Sequence, residues 1–357
     1  MIIFILILVA IMCSGLTVAK KNEFFEDYMS PKNTTTINAI FSVLIFLSHS
    51  VSYVSLPDDA LNTPYLSLRT FLGQLVVVTY LFFSGFGIME SIKKKGTAYV
   101  KAMPVNRLFK LWYHFAIVMV LYTIVRIGII GVKYSLKDYL LAYTGYTSLG
   151  NSNWYMFVVF ATYIIVIASF LIFKKSKVAA IGLVCVLAFL FGLFEYKMNL
   201  DAWWYNTIIC FVLGMVYSMV KPYTDKLLMK NDIVWFTAMT ASVAAFAYFS
   251  RNRVDSFIHY ELFVSFAVIM LVIFMMKVNI KNSVLDWFGE HIFSFFILQR
   301  IPMLLLRHWG YNKNPYVFVI LCFIATVFLS VVFDEAMARL DKIIFKKREK
   351  KQVQKAN

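Results

Sequence analysis

Long apolar runs separated by short polar segments dominate the chain. A helix needs about 20 mostly apolar residues to cross a hydrocarbon core of about 30 Å. Eleven runs approach or meet that length, at 2–19, 36–54, 68–91, 107–130, 153–173, 178–196, 203–220, 233–250, 256–276, 286–308 and 316–338. The polar segments between them leave no room for a separate soluble domain. The pattern predicts an all-α fold, a polytopic transmembrane helical bundle of about 11 spans. Residues 1–30 read as a membrane anchor helix with a linker, 31–340 as one transmembrane domain, and 341–357 as a basic tail.

The first run also invites comparison with a signal peptide, since Thr17-Val18-Ala19 loosely resembles a cleavage site. No positive charge precedes the run, however, and Lys20-Lys21 follow it. That order predicts an uncleaved anchor with its N-terminus outside. The distribution of charge agrees. Of the 35 Lys and Arg residues, 25 fall in the segments this topology places inside, nine fall outside, and Arg300 lies within a span. Inner segments of membrane proteins carry such an excess. Dropping one span would invert every later loop and destroy the bias. The C-terminus is therefore expected on the cytoplasmic side.

Composition bears out the pattern: 61% of the 357 residues are hydrophobic and only 15% charged, with a mean hydropathy of +0.73. A net charge of +16 would suggest nucleic-acid binding on a soluble protein. Here the charges flank apolar runs, so membrane lipids are expected as partners and nucleic acid is not. The four cysteines, Cys13, Cys185, Cys210 and Cys322, each sit inside an apolar run without CxxC spacing. They read as small buried hydrophobes rather than a disulfide framework.

Ionisable groups at membrane depth are costly and mark candidate sites. His49 is eleven residues beyond Asn38, about three turns and roughly 16 Å along one helix. The two side chains therefore share a face. A neutral histidine in a polar channel can take a proton from an alcohol; a histidine hydrogen-bonded within the bundle is the plainer alternative. Arg300 lies within Phe295-Phe296-Ile297-Leu298-Gln299-Arg300-Ile301-Pro302, roughly 21 Å beyond Asp286 along a continuous helix. It could reach the depth of His49 and stabilise an oxyanion, or snorkel to the outer interface.

The loop from Glu90 through Lys101 to Lys110 is the richest basic cluster outside the tail. Arg107 and Lys110 share a face at an expected helix start, where they could bind phosphate; positive-inside topology alone would also make this loop basic. The outer segment 132–152 carries Tyr134, Tyr139, Tyr143 and Tyr146 and leads into Asn153 and Trp154. Interfacial anchoring accounts for most such aromatics, with a sugar-stacking platform as the alternative. His114, His259, His291 and His308 show no ligand spacing, so no metal is expected. Ser84-Gly85-Phe86-Gly87 lacks the preceding strand of a nucleotide fingerprint, and its glycines suit close helix packing. No GxSxG elbow occurs.

These residues, in this order, resemble the acyltransferase 3 family of membrane O-acyltransferases. The family carries a basic residue, ten intervening residues and a histidine in one early helix; Asn38 and His49 occupy those places. Leu81-Phe82-Phe83-Ser84-Gly85-Phe86-Gly87-Ile88 matches its phenylalanine-rich Ser-Gly-Phe element, and Arg107 with Lys110 loosely matches its Arg-x-x-Arg. Asn153-Trp154-Tyr155 and the 293–302 segment look like the family too, so the resemblance covers roughly residues 30–335. The N-terminal anchor is similar to the extra helix of some bacterial members. Asn38 departs from the usual Lys or Arg, and Gln299 stands where many members have histidine.

The resemblance implies transfer of an acyl group, usually acetyl, from cytoplasmic acyl-CoA to a hydroxyl of a cell-surface glycan or lipid-linked sugar, in a bacterial cytoplasmic membrane. It implies His49, Arg300 and Gln299 as catalytic; Lys101, Arg107, Lys110 and Asn38 as contacts for acetyl-CoA; and Asn153, Trp154 and Ser84 as contacts for the acceptor. A homo-oligomer is left open. Three alternatives remain open: a transporter or flippase for glycans or small anions, a structural or sensor protein, and a non-catalytic relative admitted by Asn38.

Overall fold

The computed structural model describes residues 1–254 and 256–354, with side chains described as far as Phe345. The predicted basic tail joins the last helix as far as Gln354; its side chains from Lys346 onward and residues 355–357 lie outside the described residues.

Eight helical stretches are long and apolar enough to cross a membrane: Pro31–Tyr53, Thr63–Ile129, Trp154–Ile172, Lys177–Lys197, Ala202–Leu228, Asp232–Arg251, Phe257–Lys277 and Pro315–Phe345. Thr63–Ile129 is 67 residues long. At 1.5 Å per residue it would extend about 100 Å, far more than one crossing. It covers two of the predicted spans and turns at Gly73 and Gly96, whose φ angles of +44° and +58° suit a residue without a Cβ. The remaining two predicted spans depart from a single straight helix. The run at 2–19 is helical only over Ile2–Ser14 (α1). Leu16–Val18 (β1) then pairs antiparallel with Val278–Ile280 (β2), the one exception to an otherwise helical fold among the described residues.

The run at 286–308 breaks into Ser283–Glu290 (α12), Ile292–Leu298 (α13) and Arg300–His308 (α14). Pro302 accounts for the second break. It has no N–H for the Leu298 carbonyl four residues back, and its ring crowds that carbonyl. The Tyr122 hydroxyl donates to the neighbouring Ile297 carbonyl at 3.0 Å, fastening the loosened turn.

The other elements are Pro31–Ser50 (α2), Thr63–Leu72 (α3), Leu75–Met103 (α4), Lys110–Thr123 (α5), Leu136–Ala142 (α6), Trp154–Ile172 (α7), Lys177–Lys197 (α8), Ile208–Leu228 (α9), Asp232–Arg251 (α10), Phe257–Lys277 (α11) and Pro315–Gln354 (α15). The centre is the α4–α9 pair. A Cβ on Gly85 would strike the Phe211 carbonyl, and one on Gly214 would strike the Phe82 carbonyl. Only glycine lets two backbones approach this closely. Farther along, the Ser218 hydroxyl donates to Glu90 at 2.7 Å. From Gly85–Phe211 to Glu90–Ser218 the contacts advance along both helices, so α4 and α9 run parallel, as the charge-derived topology requires.

Around this pair, α2 packs on α4 and against α12 and α13; α7 and α8 flank α4 and α9; α10 and α11 form an outer hairpin; and α15 lies against α13 and α14. Segments assigned inside by charge gather at one end. Lys32 pairs with Asp286 at 3.2 Å, and Lys277 pairs with Asp232 at 2.5 Å while donating to the Lys20 carbonyl at 2.9 Å. Tyr28 donates to Asp225 at 2.5 Å. Burial, with Tyr217 and Asp225 alongside, pushes the Tyr28 phenol well above its ordinary range, so it stays a donor. Segments assigned outside meet at the other end, where Asn312 donates to the Tyr53 carbonyl at 2.9 Å and the Tyr316 hydroxyl to Asn62 at 3.3 Å.

Candidate functional site

The helix α2 begins with a cap. Ser30 accepts from the Asn33 amide at 3.3 Å and Pro31 supplies a preset φ at the first position. From this start Asn38, Ser42, Ile45 and His49 fall on one stripe. At its inner end the stripe opens on a cavity of about 890 Å³, lined by Asn38, Tyr80, Ser84, Lys93, Lys94 and Lys221 among others. Two of its lysines are matched by carboxylates: Lys93 to Glu90 at 2.6 Å and Lys221 to Asp225 at 2.5 Å. Lys94 is exposed and makes no ion pair among the described residues.

Tyr80 closes the floor of this cavity. Its hydroxyl donates to the Asn38 carbonyl at 2.6 Å and accepts from Ser42 at 2.6 Å. The Asn38 Oδ1 is buried with no partner among the described residues. Beyond Tyr80, its ring meets Tyr155 edge-on at 6.3 Å, and Tyr155 meets Phe296 at 5.4 Å. The Phe296 carbonyl in turn accepts from Gln299 Nε2 at 2.8 Å. An aromatic partition thus stands between the inner cavity and a second polar cluster.

That cluster centres on His49, near the outer end of α2. The Arg300 and Arg69 guanidiniums and the Gln299 amide lie close enough to act directly on its ring. Arg69 is fixed from α3, with its Nε donating to the Ser48 carbonyl and hydroxyl, each at 3.1 Å. Three buried atoms here, His49 Nδ1, Gln299 Oε1 and Arg300 Nε, have no hydrogen-bond partner among the described residues. Buried polar atoms are almost always paired, so an orphaned set in one place calls for a ligand or water. Chemically the set combines a proton acceptor with two cations and an amide. It can deprotonate a hydroxyl and hold an oxyanion.

The structure therefore brings His49, Gln299 and Arg300 together and sets Asn38 and Ser84 on the inner cavity. Lys101, Arg107 and Lys110 do not line that cavity. The helix start expected at Arg107 is absent, because Pro104–Phe109 continues as π-helix into α5. Arg107 therefore lies inside a continuous helical stretch rather than at a helix N-terminus. Lys110 pairs with Asp341 at 2.6 Å, whereas Lys101 and Arg107 are exposed. Asn153 donates to the Gly145 and Tyr146 carbonyls at 2.9 and 3.2 Å, closing the outer loop, and Trp154 packs edge-on against Tyr155 at 5.9 Å.

Three participants escaped sequence reasoning. Arg69 reads as an outer-loop charge, and nothing in its spacing links it to His49. Tyr80 reads as an apolar-run aromatic, a tyrosine in mid-span rather than phenylalanine being the available signal; Tyr155 reads only as part of the Asn153-Trp154-Tyr155 element at the start of α7, with no role of its own.

A family model described as an acyltransferase domain matches residues 37–335, from the start of the α2 stripe to the middle of α15. Comparison with curated proteins gives no match, and neither does comparison with solved structures.

Proposed function

Because this chain belongs to the acyltransferase 3 family, we propose that it is a membrane O-acyltransferase that moves an acetyl group from cytoplasmic acetyl-CoA to a hydroxyl of a cell-surface or lipid-linked glycan. The observation that carries this reading is the orphaned buried set at His49, Gln299 and Arg300 within a matched acyltransferase domain.

In the proposed reaction the acceptor hydroxyl lies against His49, which removes its proton as the oxygen attacks the thioester carbonyl. The carbonyl π electrons move onto oxygen, where Arg300 and the Gln299 amide stabilise the negative charge. Collapse breaks the carbon–sulfur bond. The departing thiolate takes the proton from the His49 imidazolium and leaves as the thiol. Atoms and charge balance without any metal.

The acyl-CoA donor is proposed to enter by the inner cavity, where Lys94 is the lysine without an ion pair among the described residues, Lys93 and Lys221 being matched by Glu90 and Asp225. This shifts the phosphate contacts away from Lys101, Arg107 and Lys110. The thioester must then pass the Tyr80–Tyr155–Phe296 partition, so those rings move apart during turnover. Asn38 would meet the donor at the floor of the cavity as a neutral hydrogen-bonding group.

The test is acetyl transfer from labelled acetyl-CoA in membranes that contain the wild type or His49→Ala, with mass analysis of cell-surface glycans from cells with and without the gene. Loss of label with folded protein retained supports the reading. Undiminished transfer by His49→Ala removes His49 from the reaction. Unchanged surface acetylation without the gene removes the acceptor class.

A further inference from the structure

A cavity of about 1220 Å³ lies away from His49, between α8, α9 and α11. It is lined along the outer halves of these three helices. Its polarity is graded with depth. Toward the helix ends at the outer side lie Asn206, Ser256 and Tyr205; deeper lie Cys185, Leu213 and Ile269. Residues on its flanks face outward, with Phe189 64% and Ile258 65% exposed. The cavity is thus a lateral cleft at bilayer depth, and its immediate neighbours in a membrane are lipid chains.

Two charged groups line this cleft: Arg253 donates to the Ser250 carbonyl and lies over the Phe71 and Phe263 rings, whereas the other does not suit a hydrocarbon filling. Glu261 lines it, one turn inside the outer end of α11, and its Oε2 is buried with no partner among the described residues. A carboxyl at that depth is costly unless a donor reaches it. A plain alkyl chain would leave that cost standing, whereas a head group bearing a hydroxyl or ammonium would supply the missing donor. The position of Glu261 near the outer interface matches the depth of a head group, and the apolar walls below match its chains.

We propose that this cleft binds a membrane lipid whose head group donates a hydrogen bond to Glu261 while its acyl chains lie along Leu213, Phe266 and Ile269. The assignment does not depend on the acyl-transfer reading, since it involves none of His49, Gln299 and Arg300.

The test uses the full chain purified in detergent and exposed in turn to phosphatidylethanolamine, phosphatidylglycerol and phosphatidylcholine with identical chains, retained lipid being counted by native mass spectrometry. The first two head groups carry ammonium or hydroxyl donors and the third carries none. Wild type should retain a donor-bearing lipid roughly tenfold better than phosphatidylcholine, the size expected of one hydrogen bond to an acidic group. Preference for phosphatidylethanolamine alone identifies an ammonium partner, and equal preference for both donors identifies any hydrogen-bond donor. Glu261→Leu should retain all three lipids alike. Ile209→Trp, which fills the cleft, should lower retention of every lipid while the protein remains monodisperse. Equal retention of the three lipids by wild type, or an unchanged preference in Glu261→Leu, overturns the proposal.

Discussion

The bundle has a dense side and a loose side. In Thr63–Ile129 the most apolar stretch is 61% buried within the protein, and in Pro31–Tyr53 56%; in Asp232–Arg251 the value is 6%. All three are apolar enough to cross a membrane, so hydropathy does not separate them. The dense side is built on backbone contact at Gly85 and Gly214 and on hydrogen bonds such as Ser218 to Glu90. The loose side, α8 with the α10–α11 hairpin, turns most of its apolar surface outward. Apolar side chains give little preference for protein over lipid inside a bilayer. Small residues and polar contacts, rather than hydrophobicity, therefore decide which helices form the rigid frame. The orphaned polar cluster sits in that frame, where its geometry can be held, and the lipid-sized cleft sits on the loose side.

The strongest way to break this contrast is steric. Gly85→Leu should separate α4 from α9 and destabilise the protein by at least about 3 kcal/mol. Gly182→Leu on α8, where an added Cβ meets nothing within 4 Å, should leave it unchanged. Thermal unfolding in detergent, followed by size-exclusion chromatography, compares the two. Equal effects would dissolve the distinction between the sides.

Next in size is the chemical effect. His49→Gln should lower acetyl transfer by roughly 100-fold or more, the range of a lost general base, with little change in unfolding temperature. Arg69→Ala should lower it less, since Arg69 is held against Ser48 and supports the charge balance around His49. Steady-state rates in membranes distinguish them; equal loss would make Arg69 as central as the imidazole.

Tyr80→Phe removes two hydrogen bonds and should cost about 1–3 kcal/mol of stability. If Tyr80 also closes the partition, accessibility of a cysteine placed at Ser42 to a reagent added from the inner side should rise in this variant. Unchanged labelling would mean that the phenol is structural only. The smallest effect is expected on the loose side. Val243→Leu on the exposed face of α10 should change stability by less than about 0.5 kcal/mol.

Much of the site was legible because a helix repeats. The separation of Asn38 and His49 by eleven residues put both on one face, and the structure keeps them on one stripe with Ser42. The depth count that carried Arg300 toward His49 also held, although the chain reaches it through α12, α13 and α14 rather than one straight helix. The basic loop is a different case. Charge grouped the loop with the segments that gather at one end, but whether a basic residue faces the cavity depends on how the helix is continued. Pro104–Phe109 runs on into α5, which leaves Arg107 exposed and Lys110 paired with Asp341.

By itself the sequence determined that the chain is a polytopic helical bundle, which of its segments gather at the same end, and which early histidine shares a stripe with Asn38. These follow from the length of apolar runs, the sign of flanking charge and a fixed helical period, all local properties. Only the tertiary structure decided that Arg69 joins Arg300 at His49, that Tyr80 and Tyr155 divide the inner cavity from that cluster, and that Glu261 lines a lateral cleft. Each of these depends on which faces of distant helices meet. That choice is made by close backbone approach and by pairing of scattered polar groups, for which hydropathy and charge order carry no signal.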